Sequence, residues 1–598
     1  MANSFGSLYV GASGLQSASH GLNTTANNLT NVNTEGYVRE QVVYEDRNYR
    51  KIGTAAIGTQ YAGLGVQVGT IVHARDIFLD KAYRQENGRY SFYSASSEAV
   101  QEVYTQLQET DGEAFKDAIS DFEEAFEEFA KDPSDTVNQN LVLQKASLFL
   151  ARAQAVQTGL EDYQKIINSK IIEDINTVND IGKKIVDLNK RIQAIEAAGV
   201  EKAMDLRDTR DLLLDKLSTM VKMSYREDNT GVVHVEIEGV EFIDDVNFYQ
   251  MGSKVDKKTQ FVTAYWPQLS DIVSETDDSL NNYYQVFDIY NVDAEKNTDV
   301  GEIKALLLAR GEEWTNYLGF MDENGNPITS EAYEKGISNS IMMNSEAELD
   351  TLIHQMVTAI NDIFSPLTTV ANAYEDAATV TYENDKGEMV TVNAKDLKIL
   401  DTANCSVGTD GELPPRELFV RNGCDRYTYK QITVTDGSGN TNSVYAYVYN
   451  EENIEDASSC YTLKSLVINE DLVKQESYLP HLLYADQTQT NYSLGQDLSA
   501  IWSAQEFNLN PSDTTPCGYT GFYVKWIGEM ANTGNVYKTT EASLEGTKEE
   551  IEFSRQGVIG VSSDEELTTM IKYQSAYNAA SRYINVVNEM IEHLLTSL

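Results

Sequence analysis

The two ends of the chain carry matching apolar repeats, and this feature constrains the fold most. Near the amino end, a leucine recurs every seven residues, at Leu8, Leu15, Leu22 and Leu29. Near the carboxyl end, a second stripe with the same period includes Leu567, Met570, Tyr577, Ile584, Ile591 and Leu595. A helix with one narrow apolar stripe is marginal in water until a partner covers it. The two stripes predict that the terminal helices pair as a coiled coil. The alternative is that each helix merely caps a domain.

A long helical region is predicted between about residues 90 and 218. Four phenylalanines at helical spacing mark its first helix, at Phe115, Phe122, Phe126 and Phe129. That helix is expected to end at Asp132-Pro133, because the residue before a proline is disfavoured in a helix. Apolar residues spaced by three and four between Ile167 and Ile195 then predict a long rod-like helix. Further helices are predicted at 302–310, at 346–364 and from about residue 522.

Two parts of the chain show the two-residue alternation of β-strands. In the first, Val233, Val235 and Ile237 alternate with polar residues. The second is a longer stretch in which a candidate hairpin joins 432–434 to 444–448 across a glycine-rich turn. The chain is therefore predicted to be multidomain and mainly α-helical, with inserted β structure.

The predicted division has four parts. They are a terminal coiled-coil assembly domain (1–50 and 555–598), a helical rod-like domain (51–225, 300–365 and 520–554), a small β-containing segment (226–299) and a variable β-rich insert (366–519).

The charge balance limits the partners of this chain. Its 598 residues include 93 acidic and 46 basic side chains, which give a formal net charge of −47. Nucleic acids and anionic membranes bind basic clusters, so neither is an expected partner. No stretch approaches the roughly 18 apolar residues of a membrane-spanning helix. The amino end also lacks the basic and apolar regions of a cleaved signal peptide. Taken alone, these features predict a cytoplasmic protein.

The sequence carries no recognisable catalytic or metal-binding motif. Six histidines are scattered along the chain, and no phosphate-binding loop, nucleophile elbow or zinc-protease pattern occurs. The four cysteines, Cys405, Cys424, Cys460 and Cys517, form no CxxC pair. They permit two disulfides in three possible pairings, or free thiols. Asp436, Ser438 and Asn440 resemble part of a calcium loop, but Val448 stands where an acidic ligand is needed, which favours a hairpin turn. We therefore expect no enzymatic activity, cofactor or metal.

Several segments resemble the flagellar axial proteins, the family of rod, hook and hook-associated subunits. The amino-terminal signature of this family is similar to 13–16 and 26–37, which ends in Gly36-Tyr37, although Glu35 stands where proline is usual. Within this family, the hook-associated protein 1 group is favoured by 63–84, by 132–134 and by Asp205–Asp211. The segments 560–567 and 573–577 resemble its carboxyl-terminal pattern. The stretch 366–519 resembles nothing that we recognise.

This resemblance implies a structural subunit of the hook–filament junction that assembles with copies of itself in a ring. The terminal helices would form the inner wall, and the β-rich insert would point outward. The resemblance also implies secretion through the flagellar export apparatus, an extracellular location on the flagellum, and a chaperone that binds the carboxyl-terminal helix. The hook protein and the next hook-associated protein are the implied neighbours. Gly36 and Tyr37 join the two apolar stripes as expected interface residues.

The sequence leaves two alternatives open. In the first, the chain is another axial subunit, such as the hook protein, although the long helices between 90 and 218 argue against this. In the second, the chain is a junction subunit whose insert also binds a surface ligand. Tyr445, Tyr447, Tyr449 and Tyr461 either contact that ligand or pack inside a β-core.

Overall fold

The computed structural model describes residues 2–55, 58–107, 115–197, 202–245, 247–271, 282–384 and 387–597. Its helices are α1 (Ala2–Thr30), α2 (Ile77–Leu107), α3 (Phe115–Lys131), α4 (Thr136–Glu196), α5 (Met204–Met220), α6 (Glu302–Arg310), α7 (Ser330–Lys335), α8 (Ile341–Phe364), α9 (Val370–Ala373), α10 (Glu470–Lys474), α11 (Tyr492–Ala500), α12 (Tyr519–Ile559) and α13 (Ser563–Thr596). None of these helices combines the length and apolarity that crossing a bilayer requires.

The strands form small antiparallel sheets between the helices. They are β1 (Glu40–Asp46), β2 (Arg50–Ala55), β3 (Gly58–Ala62), β4 (Val66–His73), β5 (Met223–Glu227), β6 (Val233–Ile237), β7 (Val240–Ile243), β8 (Gly252–Val255), β9 (Val262–Tyr265), β10 (Leu367–Thr369), β11 (Ala377–Glu383), β12 (Met389–Asn393), β13 (Lys398–Leu400), β14 (Ser406–Val407), β15 (Phe419–Arg421), β16 (Tyr427–Asp436), β17 (Thr441–Tyr449), β18 (Leu466–Ile468), β19 (Leu482–Leu483) and β20 (Asp486–Thr490). The largest sheet has six strands in the order β10-β13-β17-β16-β11-β12.

The mainly helical architecture with inserted β structure is confirmed. The helix α3 ends at Lys131, just before Asp132-Pro133. Asp135 then caps α4, because its side chain accepts a hydrogen bond from the backbone N–H of Val137 at 2.9 Å. The predicted hairpin is also present, since Ile432 of β16 pairs with Val444 of β17.

Aromatic side chains from α3 organise the main core. Phe122 stacks on Phe149 of α4 with ring centroids 5.3 Å apart, and Trp502 meets Phe122 edge-on at 5.8 Å. Each such side chain contributes about 2–3 kcal/mol when it is withdrawn from water. Phe419 contacts the same ring from β15. The core therefore joins the long helices to segments that lie some 300 residues further along the chain.

This packing corrects the predicted insert over 366–519. The six-stranded sheet has a small core of its own, built from residues such as Val370, Val380, Ile432 and Val448. The later part of the stretch does not belong to that core. It packs into the main helical core through Leu418, Phe419, Tyr461, Leu463, Leu466, Leu472, Leu479, Leu494, Leu498, Trp502 and Leu509. The separately packed unit is thus smaller than predicted.

The predicted helical domain beginning at residue 51 also needs correction. The strands β2, β3 and β4 occupy 50–55, 58–62 and 66–73 instead, and β4 pairs with β1 from Glu40↔His73 to Asp46↔Val66. Val66 and Val68 alternate with exposed residues, and a shift of register at Gly69 makes Ile71 the next less exposed residue of the strand. This ribbon lies against α1 and connects it to α2.

Candidate assembly interface

The terminal helices α1 and α13 lie side by side in antiparallel directions. Gly11 is next to Ile584, Gly14 is next to Ala580, and Gly21 is next to Tyr573. The approach is close, because a Cβ atom added to Gly21 would lie 2.6 Å from Cε1 of Tyr573. Glycines on one helix therefore admit the larger side chains of the other. The pairing of the two ends is observed, whereas coiled-coil geometry stays a prediction.

The predicted interface residues divide between the contact and the surface. Leu8, Leu15, Leu22 and Leu29 on α1 are partly buried, as are Met570, Ile584 and Ile591 on α13. Leu567, Tyr577 and Leu595 are 46%, 36% and 67% exposed. Further along the same face of α13, Tyr573 and Ala580 are partly buried and Val587 is buried. None of these three belongs to the stripe predicted from the sequence.

Small polar residues of α1 contact the β1–β4 ribbon. The Ser13 hydroxyl accepts a hydrogen bond from the backbone N–H of Val66 at 3.3 Å, and the Tyr44 hydroxyl donates to the carbonyl of Ser17 at 3.2 Å. Gly65 has a φ of +91°, and its Cα faces Ser13 so closely that no side chain fits. The polar face of α1 is therefore a strand-binding surface, which the apolar pattern alone did not reveal.

Asn28 organises the base of the helix pair. Its amide donates to the carbonyl of Glu40 at 2.9 Å and to Glu566 Oε2 at 3.2 Å. Its Oδ1 accepts from the Tyr37 hydroxyl at 2.8 Å and from the backbone N–H of Glu40 at 3.0 Å. Glu566 Oε1 also accepts from Nε of Arg39 at 2.7 Å. These bonds connect both chain ends and the first strand at one buried point.

The predicted interface residues Gly36 and Tyr37 belong to this base. Gly36 has a φ of +79° and lets the chain turn sharply after α1, beside Leu212 of α5. Burial, reinforced by the nearby carboxylates of Glu40 and Asp208, raises the pKa of Tyr37 far above its usual range. Tyr37 therefore stays a hydroxyl donor at any physiological pH.

Helix α5 carries the charges that anchor this base to the helical core. Asp208 accepts from the backbone N–H of Val38 at 2.9 Å, and its Oδ1 lies 3.3 Å from Nε2 of His73. Burial raises the pKa of Asp208 to about 7 and lowers the pKa of His73 to about 4. A proton on Asp208 Oδ1 that is donated to the neutral imidazole would satisfy both buried atoms, which otherwise have no hydrogen-bond partner.

A buried ion network continues from α5 into α2 and α12. Arg555 donates to Asp80 and to Asp215, each at 2.7 Å. Arg84 also donates to Asp215, at 2.6 Å, while Arg75 bridges Asp80 and Asp211. Such a network holds its members in one geometry, because any unpaired charge left buried is costly. Asp215 of α5 and Asp80 of α2 thus fix α12 through Arg555, while Asp211 of α5 joins the same network through Arg75.

The outer side of α13 leaves a row of large apolar side chains uncovered. Apart from the predicted residues, the exposed members are Ile571, Tyr583, Val586, Met590 and Leu594, at 63%, 44%, 47%, 60% and 42% exposure. An amphipathic helix normally turns such residues inward. A contiguous exposed apolar surface is typical of a site that another protein covers.

Comparisons with known proteins agree with this arrangement. Residues 8–37 match the flagella basal body rod protein family, and residues 556–597 match the flagellar basal body rod FlgEFG protein C-terminal family. Residues 100–366 match the family described as the flagellar hook-associated protein FlgK helical domain. Flagellar hook-associated protein 1 of Bacillus subtilis (strain 168) is 23% identical and aligns over 100% of this chain and 99% of its own length. The chain is similar to flagellar hook-associated protein 1 from end to end.

The hook-associated protein 1 sequences of other species align almost as fully. The Escherichia coli (strain K12) protein is 20% identical, and the alignment covers 98% of each chain. The Salmonella typhimurium protein is 21% identical, again over 98% of each chain. Among solved structures, the flagellar hook junction protein FlgK from Burkholderia pseudomallei has 13% identity and a TM-score of 0.44, and it covers 80% of this chain and 100% of its own.

Proposed function

We propose that this chain is a structural, non-enzymatic subunit of the bacterial flagellum that forms the junction between hook and filament. The observation that carries the proposal is the end-to-end alignment with hook-associated protein 1 of several species, with 98% or more of both chains covered. The match to the helical domain over 100–366 favours this subunit over the hook protein, since the two terminal matches are to rod-protein families.

Copies of the chain assemble in a ring through the terminal helices. The exposed side chains Ile571, Val586, Met590 and Leu594 of α13 are available for this contact. Helix α1 packs instead against Tyr573, Ala580 and Ile584. The twelve interface residues given above remain the proposed set, namely Leu8, Leu15, Leu22, Leu29, Gly36, Tyr37, Leu567, Met570, Tyr577, Ile584, Ile591 and Leu595. Those that are exposed would contact a neighbouring copy, and those that are partly buried would hold the pair in register.

The hook protein on one side and the next hook-associated protein on the other are the proposed neighbours of the ring. The final location is extracellular, at the tip of the hook, and the chain reaches it through the flagellar export apparatus. The uncovered apolar row on α13 also provides a binding surface for an export chaperone before assembly. A helix that gains its partners late suits an exported chain, because coupled folding and binding delays the final packing.

Charge substitutions on the exposed row test the assembly surface. Val586→Asp with Met590→Asp should abolish incorporation at the hook tip, because a desolvated charge opposes burial between copies. Both side chains are exposed, so the isolated subunit should keep its wild-type circular dichroism and melting temperature. Asn588→Asp adds a charge at another exposed position of α13 and serves as the control. Junctions that assemble normally with the double variant would contradict the proposal.

A second candidate role, a junction subunit whose insert also binds a surface ligand, is favoured by one feature of the large sheet. Tyr429 and Tyr445 are 60% and 61% exposed and stack with ring centroids 5.4 Å apart. Stacked exposed aromatic rings suit a flat apolar ligand face, such as that of a sugar. Tyr461, by contrast, is fully buried. Loss of glycan capture by the full chain after Tyr429→Ala and Tyr445→Ala would support this role, and unchanged capture would exclude it.

A further inference from the structure

A buried histidine and several carboxylates converge at one end of the small sheet formed by β5, β6 and β7. His234 lies on β6, and its side chain is only 8% exposed. Asp228 lies in the turn between β5 and β6, whereas Asp245 follows β7. The sequence spacing of these residues matches no metal motif. The hairpins of the sheet nevertheless bring their ligand atoms within 4.8 Å of one another.

We propose that Asp228, His234 and Asp245 form a binding site for a divalent cation of the zinc class. In tetrahedral coordination with bonds of about 2.0–2.1 Å, neighbouring ligand atoms lie roughly 3.3 Å apart. His234 Nε2 is 3.0 Å from Asp245 Oδ1 and 3.9 Å from Asp228 Oδ2. These two separations bracket the ideal value, and all three ligand atoms lie within 4.8 Å of one another, so side-chain shifts alone can bring them onto a cation. Water would complete the coordination.

Asp228 is held in place for this role. Its Oδ1 accepts hydrogen bonds from the backbone N–H groups of Thr230 and Val232, at 2.8 and 3.0 Å, and from the Thr230 hydroxyl at 2.8 Å. These bonds fix the carboxylate plane while Oδ2 faces the imidazole. An oriented carboxylate is what a cation site requires.

On the other side of the imidazole, a second carboxylate faces Nδ1 of His234. Asp244 Oδ1 lies 3.6 Å from Nδ1 of His234, where a carboxylate would accept the Nδ1 proton and direct Nε2 to the metal. Arg226 Nη2 lies 3.4 Å from the same nitrogen and competes for it. In the competing arrangement, Nδ1 accepts from Arg226 and Nε2–H donates to Asp245, and no metal binds. The two arrangements make opposite predictions for zinc binding.

A second set of ligand atoms defines the control. Glu241 and Asp244 form a second possible cation-binding group with His234. If the cation binds through Asp228 and Asp245, then Glu241→Gln should leave the affinity unchanged, whereas Asp245→Asn should lower it at least tenfold. Glu241 and Asp245 are both exposed, so neither substitution should affect folding. Equal losses in the two variants would overturn the proposed ligand set.

The test is calorimetric titration of the full chain with zinc chloride, together with its melting temperature at saturating zinc. We expect one site whose affinity falls at least a hundredfold in His234→Asn, and a melting temperature that zinc raises in the wild type but not in this variant. The free thiols are a competing sink for zinc. Cobalt(II) distinguishes the proposed site from the thiols, because cobalt bound only by nitrogen and oxygen ligands shows no thiolate charge-transfer band. Equal zinc binding by wild type and His234→Asn, cobalt bound through thiolate alone, or tighter binding of calcium than of zinc would overturn the proposal.

Discussion

The bond between Glu566 and Asn28 is the point where the two chain ends meet, and its removal should loosen the terminal helix pair selectively. The Glu566 side chain is 2% exposed and accepts from Arg39 and Asn28. The adjacent Glu565 also pairs with Arg39, at 3.3 Å, but its side chain is 65% exposed. The variants Glu566→Gln and Glu565→Gln therefore make the same chemical change at a buried and at an exposed position of one helix.

Glu566 accepts hydrogen bonds from two donors, Arg39 and Asn28. In Glu566→Gln, the amide oxygen still accepts from one of them, but the amide NH₂ group faces the other and cannot accept its hydrogen bond. The loss of one buried charge-assisted hydrogen bond costs about 2 kcal/mol. Such a cost raises the population of the opened terminal pair roughly 30-fold. An exposed ion pair contributes about 0–1 kcal/mol, so Glu565→Gln should change that population about fivefold at most.

Amide hydrogen exchange measures this opening directly. Exchange in α1 and α13 should accelerate in Glu566→Gln, whereas α4, which belongs to the main core, should keep its protection. Glu565→Gln should resemble the wild type throughout. Equal acceleration in the two variants would refute the claim that a buried bond joins the chain ends. Acceleration in α4 would show that the effect is global rather than local.

Two further predictions concern packing and pH. Gly21→Ala should destabilise the helix pair by about 1–2 kcal/mol, because its new methyl group collides with Tyr573. Gly14→Ala is the control, because its methyl group has room, with the nearest neighbouring atom at 3.6 Å. Equal shifts of the melting temperature in the two variants would contradict this. Burial raises the pKa of Glu348 to about 8, whereas the unfolded chain releases this proton near pH 4.5. The free energy of unfolding is therefore highest below pH 4.5 and falls as the pH rises towards 8. Glu348→Gln should therefore flatten the fall in melting temperature between pH 5 and 9, gaining up to about 4 kcal/mol at alkaline pH, while the exposed Glu334→Gln should not.

The helices were largely predictable because their patterns are local. The spacing of Phe115, Phe122, Phe126 and Phe129 predicted α3, and all four side chains are buried. The same logic predicted stripes at both chain ends. It did not give every contact position on α13, because the contact with α1 also includes Ala580, a side chain too weakly apolar to stand out in a stripe.

Long-range packing was not predictable in the same way. Residues such as Phe419 and Trp502 lie in a stretch of strand and turn patterns, and nothing local shows that they contact Phe122. The charged stretch from Asp205 was recognisable as a family segment, but its role as an ion hub appears only when α2 and α12 are placed beside it. Alternating Arg and Asp residues on one short helix are a usable indication of such a hub.

The central claim is that the chain forms the junction at the end of the hook. The most direct measurement is electron microscopy of flagella labelled with an antibody to the six-stranded sheet, which lies outside the main core. A ring of label at the distal end of the hook, where the filament begins, is the predicted result. Label spread along the hook, or the absence of label from intact flagella, would contradict the assignment.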